Sequence, residues 1–176
     1  MSPYLLSWSS EINHKVPSKE PFDIVITQEA LNDIINRADW PIESEGILIY
    51  APTAQIDPNI VTLMCTAKFE SIEFIITIEL NANIDKQGLF NFNISKIKIG
   101  ALNITPIAKL TAKKMYTERI AAIDDIDLST WRAKIAASLL NDEAFEPVFD
   151  TGGQSVKVVK IVTEKGKLTA SLIIRK

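Results

Sequence analysis

Residues 59–106 read NIVTLMCTAKFESIEFIITIELNANIDKQGLFNFNISKIKIGALNITP, and this stretch decides the fold. Three apolar, β-branched runs follow one another with only short breaks: Ile60 to Phe69, Ile72 to Leu80 and Leu89 to Ile99. Such runs, bounded by turn residues, predict consecutive antiparallel strands. In the first, Val61, Leu63, Cys65, Ala67 and Phe69 share one face. In the second, Ile72, Phe74, Ile76, Ile78 and Leu80 alternate with Glu73, Ile75, Thr77 and Glu79, a period of two. The third changes phase. Phe90, Phe92 and Ile94 define one face and Ile97 and Ile99 the opposite one, so a β-bulge or sharp bend is predicted at Ser95-Lys96. Gly100 ends the run, and Thr105-Pro106 predicts the start of a helix.

Outward from this meander, Phe22 to Ile26 predicts a short strand, followed by a helix capped by Thr27 with Glu29 in its first turn. The stripe Leu31, Ile34, Ile35 and Ala38 makes that helix one-sided, and Trp40-Pro41 closes it. Gly46 to Ala51 predicts another strand. Ile104, Ile107, Ala108, Thr111 and Met115 predict the inner stripe of the proline-led helix, with Lys109 and Lys113 outward. Leu128, Trp131, Ile135 and Leu139 predict the stripe of a further helix, entered through Asp124 to Ser129. Gly152-Gly153 turns the chain into a closing hairpin, Ser155 to Thr163 and Lys167 to Arg175, with a second phase slip at Val158-Val159. Residues 1–21, with Pro3, Pro17 and Pro21, are expected to form an irregular leader in which Trp8 anchors the surface. The expected architecture is α+β: a single domain over residues 22–176, in which a long curved antiparallel sheet (meander plus C-terminal hairpin) wraps two to three helices.

A chain of 176 residues with 47% hydrophobic and 23% charged residues has the composition of an ordinary globular domain. Its apolar runs are too short for a membrane-spanning helix, and the patch Tyr4-Leu5-Leu6-Trp8 is too short for a secretory signal. Cys65 is the single cysteine, so no intramolecular disulfide can form. The net charge of −3 conceals segregation by block. Residues 20–85 hold twelve acidic and two basic side chains, and residues 86–119 hold one and seven. Residues 120–150 hold seven acidic and two basic, and residues 151–176 hold one and six. Two expectations fit this alternation: acidic strands pairing beside basic ones, or a basic face that meets an anionic membrane surface.

Catalytic chemistry finds little foothold. His14 is the only histidine, which excludes a multi-histidine metal site and a triad built on a second one. Cys65 falls on an apolar strand face, where a thiol behaves as a small hydrophobe. Asp124, Asp125 and Asp127 lack the glycine and terminal glutamate of a calcium loop and suit capping at a helix start. Gly152-Gly153 has no strand–turn–helix context or following Lys-Ser and is a turn. Asn93-Ile94-Ser95 and Asn103-Ile104-Thr105 match the glycosylation pattern inside structural positions. Lys96, Lys98, Lys109, Lys113, Lys114, Lys157 and Lys160 are spread without interleaved exposed aromatics, which disfavours nucleic acid.

Two segments carry a resemblance. Ile26-Thr27-Gln28-Glu29-Ala30-Leu31-Asn32-Asp33-Ile34-Ile35 resembles the opening strand-to-helix segment of the YpmS-like bacterial membrane-anchored proteins. Lys96-Ile97-Lys98-Ile99-Gly100-Ala101-Leu102-Asn103-Ile104-Thr105-Pro106 resembles the same family's strand, glycine, apolar link and proline-led helix. With the closing hairpin, the similarity spans about Phe22 to Arg175. The resemblance implies a fold similar to the tubular lipid-binding class and a membrane-associated, extracytoplasmic location, although no anchor is read in this chain. Location in the cytoplasm is the expectation if Met1 is native.

The expected function is therefore non-enzymatic: binding of a lipid or other long apolar molecule between sheet and helices, without a cofactor. The expected lining is Val61, Leu63, Phe74, Ile76, Ile78, Phe92, Ile107, Met115, Trp131 and Ile135, which are equally the expected core. The alternative expectation is an interaction domain with a filled core.

Overall fold

The structure, a computed structural model, describes residues 2–16, 20–122, 131–151 and 153–175, except the side chains at 112, 115–122, 131–132 and 151. Among the described residues four helices, α1 (Pro3–Lys15), α2 (Gln28–Asn36), α3 (Thr105–Ala122) and α4 (Trp131–Asn141), accompany eleven strands. Along the chain the strands are β1 (Phe22–Thr27), β2 (Ile42–Ser44), β3 (Ile47–Ile49), β4 (Thr53–Asp57), β5 (Ile60–Phe69), β6 (Ile72–Ile84) and β7 (Phe90–Ile99). They continue with β8 (Leu102–Asn103), β9 (Val148–Thr151), β10 (Gln154–Glu164) and β11 (Lys167–Arg175). The chain is α+β with antiparallel pairing throughout both sheets.

The meander forms the larger sheet, ordered β2-β3-β5-β6-β7-β8, with β4 on the same edge of β5 as β3. The closing hairpin makes a sheet of its own instead of extending the meander, in the order β1-β11-β10-β9. The reason lies in pairing: β1 supplies a free edge to β11, with Phe22 opposite Leu172 and Ile26 opposite Leu168.

Both predicted phase slips are bulges. Glu79 pairs with Lys96 and Leu80 with Ile94, which leaves Ser95 as the extra residue on β7. A side chain changes face at every residue of a strand, so one inserted residue returns Ile97 and Ile99 to the face of Phe90, Phe92 and Ile94. Ile78 thus stands opposite Ile97, and Ile76 opposite Ile99, and one apolar face runs the length of the sheet. The Ser95 hydroxyl donates to the Glu79 carbonyl (3.1 Å) at the bulge. On β10, Val159 is the extra residue between Val158–Leu172 and Lys160–Ser171 pairs. There the insertion brings Ile161 into phase with Val156 and Val158. The charge blocks meet in the β6–β7 ladder, where Glu79 stands opposite Lys96 and also pairs with Lys98 (3.8 Å), while Lys68 and Glu73 face each other within the acidic block.

The expected irregular leader is instead helix α1. Pro3 sits where a helix tolerates a missing N–H, and the Ser2 hydroxyl accepts from the Tyr4 N–H (3.3 Å). Trp8 and Ile12 of α1 and its C-cap residue Val16 pack on the small sheet against Phe22, Ile24, Val156, Val158 and Leu172. Ser2 is itself buried and donates to Asp33 on α2 (2.6 Å). Proline spacing marks where a helix cannot continue, not where none can start. Pro17 lies outside the described residues.

Candidate functional site

Where the two sheets approach, their inner faces do not fully interdigitate. They enclose a cavity of about 460 Å³, partly enclosed, whose walls carry only apolar side chains. The large sheet contributes Val61, Leu63, Leu80, Ala82 and Phe92, with Ile56 from β4. The small sheet contributes Ile26 and Leu168, and the helices add Leu31 and Ile35 from α2 and Leu139 from α4. Of these wall residues, Ile56, Val61 and Leu80 form a buried cluster against which Ile78 and Ile94 pack.

Hydrogen bonds from helix side chains hold this end of the molecule in place. The outer edge of β4 would otherwise present unpaired backbone groups, a liability of any edge strand. The Asn32 side chain of α2 closes it: its Nδ2 donates to the Ala54 carbonyl (2.9 Å) and its Oδ1 accepts from the Ala54 N–H (2.7 Å). One turn earlier, the Gln28 Oε1 accepts from the Ile56 N–H (2.9 Å). The β10–β11 turn completes the edge, since the Gly166 N–H donates to the Ile56 carbonyl and the Gly166 carbonyl accepts from the Gln28 N–H, both at 2.8 Å. Gly166 has φ +79°, a conformation in which any Cβ is strained. Thus α2, β4 and the closing hairpin are pinned around one point, and the hairpin places Leu168 on the cavity wall.

The opposite edge, β7, is sealed in the same manner. The Ser138 hydroxyl of α4, fully buried, accepts from the Phe92 N–H (2.9 Å). Phe145 exchanges two backbone hydrogen bonds with Phe90. The Thr105 hydroxyl accepts from the Ile97 N–H (2.7 Å). Ser138 therefore sets the height at which its neighbour Leu139 enters the cavity.

Of the lining expected from sequence, Val61, Leu63 and Phe92 are on the wall. Ile78 is one layer behind it. Phe74 and Ile76 lie farther along the same face of β6, half-buried and away from the cavity, and Ile135 is half-buried on α4 but not on the wall. Ile107 is corrected outright: it is 71% exposed, because α3 turns Ala108 and Lys109 toward the protein and leaves Ile107 and Leu110 outside. The side chains of Met115 and Trp131 lie outside the described residues, as do Asp124, Asp125 and Asp127. Residues not anticipated as lining are Ile26, Leu31, Ile35, Ile56, Leu80, Ala82, Leu139 and Leu168. Leu31, Ile35, Leu80 and Leu139 belong to apolar stripes legible in the sequence. What periodicity lacks is which end of a long stripe another element covers.

The polar candidates do not converge on the cavity. Among the described residues no group of three or more His, Cys, Asp and Glu side chains is placed to hold a metal. Cys65 belongs to a separate depression of about 380 Å³ where β3 gives way to β4, beside Tyr50, Met64 and Ile75. Burial pushes its thiol pKa up, the reverse of an activated nucleophile. Asp33 is held below the usual carboxylate range by its hydrogen bonds from Arg37 (2.7 and 3.0 Å) and from Ser2. It joins α1 to α2 and faces away from the cavity wall. Among the described residues no helix is long and apolar enough to cross a membrane. No family model, no curated protein and no solved structure matches the chain.

Proposed function

We propose that the protein is a non-enzymatic carrier or sensor of an apolar small molecule, held between the two sheets. The observation that carries this reading is the wall chemistry: every side chain lining the 460 Å³ cavity is aliphatic or aromatic hydrocarbon. Its volume falls in the range of roughly 300–1,000 Å³ occupied by small-molecule sites. It is also about three times the ~150 Å³ engineered cavity that accepts benzene. By that proportion the ligand's apolar body has about 18 heavy atoms. A fatty-acyl chain or a fused-ring hydrocarbon suits it, with any polar head at the mouth.

A sugar or nucleotide would lose its hydrogen bonds to water on such walls without replacement. Catalysis needs a proton donor, acceptor or nucleophile within about 3 Å of the reacting atom, and no wall side chain is one. The likeness of residues 26–35 and 96–106 to YpmS-like proteins agrees with this reading and adds a membrane-associated location outside the cytoplasm.

The test is binding of a fluorescent fatty-acid probe, with mass spectrometry of an organic extract of the purified protein. Ala82→Phe provides the contrast, since Ala82 stands directly opposite Phe92 and its enlargement fills the cavity. Probe affinity should fall at least tenfold in this variant while stability holds or rises by about 0.5–2 kcal/mol, as for other cavity-filling changes. An interaction domain with a filled core would show no probe binding in either protein and no extracted ligand.

A further inference from the structure

The apolar inner face of the large sheet runs on past the part that lines the cavity. Directly opposed residues of neighbouring strands share a face. Along β6 that face carries Leu80, Ile78, Ile76, Phe74 and Ile72, and exposure rises in that order from one end to the other. Leu80, on the cavity wall, is 9% exposed, Ile78, Ile76 and Phe74 are half-buried, and Ile72 is 64% exposed. Beside Ile76 stand Ile99 and then Leu102, 36% and 67% exposed. Contiguous bare apolar surface of this kind marks an interaction site. Lys68, Glu73, Glu79 and Lys98 all alternate onto the opposite face, so none of these charges interrupts the run. From Ile78 to Ile72 the run continues for about 20 Å.

Resting on the cavity as the site of an apolar ligand, we propose that this ligand is a single unbranched hydrocarbon chain longer than the cavity, whose outer part lies along the open face from Ile78 toward Ile72. The enclosed part accounts for about 18 carbons. An acyl tail spans one leaflet of a bilayer, about 15 Å, so the open run has room for a further tail's length. Two features choose this occupant. The open face is continuous with the wall, since Leu63 and Leu80 line the cavity and Ile78 stands opposite Leu63. A chain emerging there keeps exchanging water for hydrocarbon contact. Between Ile78 and Ile72, moreover, β6 offers no hydrogen-bonding side chain on this face to receive a polar link midway. A fused-ring body that ends inside the cavity would leave the run bare.

The experiment is displacement of a fluorescent fatty-acid probe from the full chain by saturated fatty acids of about 12 to 24 carbons, with affinities referred to the free monomer. The common carboxylate cancels along the series. Affinity should rise about fourfold per carbon while the chain is being enclosed, and about twofold per carbon beyond roughly 18, where only one side is covered. Ile72→Ser/Ile99→Ser should cost at least fivefold for a chain of about 22 carbons and leave the shortest acid at its parent affinity. Ala82→Phe should weaken every length. Unchanged far-ultraviolet circular dichroism verifies the fold of each variant, and the parent series is decisive without them. A parent series that stops rising near 18 carbons, or long-chain affinity untouched by Ile72→Ser/Ile99→Ser, overturns the extension and leaves the cavity reading standing. No binding of the shortest acid overturns the cavity reading and the extension with it. A dimer that Ile72→Ser/Ile99→Ser dissolves in analytical ultracentrifugation, with no gain beyond 18 carbons, also overturns the extension and assigns the open face to a second copy of this chain.

Discussion

Replacing Asn32 by leucine isolates the contact on which the cavity's geometry depends. The side chain keeps its approximate size but loses both hydrogen bonds to Ala54, whose backbone is buried at 0% exposure and whose N–H and carbonyl face away from β5. Each buried backbone group left without a partner costs about 1–3 kcal/mol. Two such groups give roughly 2–6 kcal/mol, and the added apolar burial of leucine returns about 1–2 kcal/mol. Taking the middle of each range, the net loss is about 2.5 kcal/mol. At about 2–4 °C per kcal/mol for a chain of this size, the melting temperature should fall by roughly 5–10 °C. Urea denaturation gives the free energy, and hydrogen exchange gives its location: the amides of Ala54 and Ile56 should lose protection before those of β6. Asn36→Leu, an exposed position at the end of the same helix, should change stability by no more than about 0.5 kcal/mol. Asn32→Asp adds a chemical check. It keeps the acceptor for the Ala54 N–H but sets a carboxylate against the Ala54 carbonyl, so its deficit should shrink when acid protonates it and restores a donor. Parent-like stability of Asn32→Leu, with Ala54 still protected, would refute the idea that this amide closes the β4 edge.

Deleting Ser95 should be far more damaging than replacing it by alanine: the deletion returns Ile97 and Ile99 to the solvent face, whereas Ser95→Ala removes only one exposed hydrogen bond to Glu79 and should cost under about 1 kcal/mol. A cooperative urea transition in Ser95→Ala and its absence in the deletion is the expected pair of results. Cys65 should react slowly with iodoacetamide at pH 7 and rapidly once unfolded, because burial holds its thiol protonated; equal rates in the two states would contradict that environment. The Asp33 contacts have a definite pH sign. Arg37 and Ser2 lower its folded-state pKa, so their contribution is present above the ordinary carboxylate range and is lost as pH falls from about 4 through that lowered value. Protection factors in α1, corrected for the intrinsic pH dependence of amide exchange, should therefore fall on acidification, and Asp33→Asn should remove that dependence.

Local alternation carried much of the fold. Period-two patterns identified β5, β6, β7, β10 and β11, and both breaks in that alternation corresponded to real insertions, at Ser95 and Val159. This worked because a half-buried strand records its environment at every second residue. The α1 helix is not legible in the sequence, because its prolines suggest irregular chain unless Ser2 caps it, and because its apolar residues acquire meaning only from the small sheet they cover. Val61, Leu63 and Phe92 were legible as inward residues of the meander. The polar contacts that position them against other elements were not, since Asn32 meets Ala54 across 22 residues and Ser138 meets Phe92 across 46.

By itself, then, the sequence determined the α+β class, the faces of the long strands and the two bulges, all of which depend on residue type and near-neighbour spacing. Tertiary structure alone decided that the closing hairpin joins β1 in a second sheet, which end of the long apolar face it covers, and that Ile107 points outward. Those outcomes depend on which free edges find partners. An edge offers the same backbone N–H and carbonyl groups whatever its side chains, so its partner is settled by the whole fold.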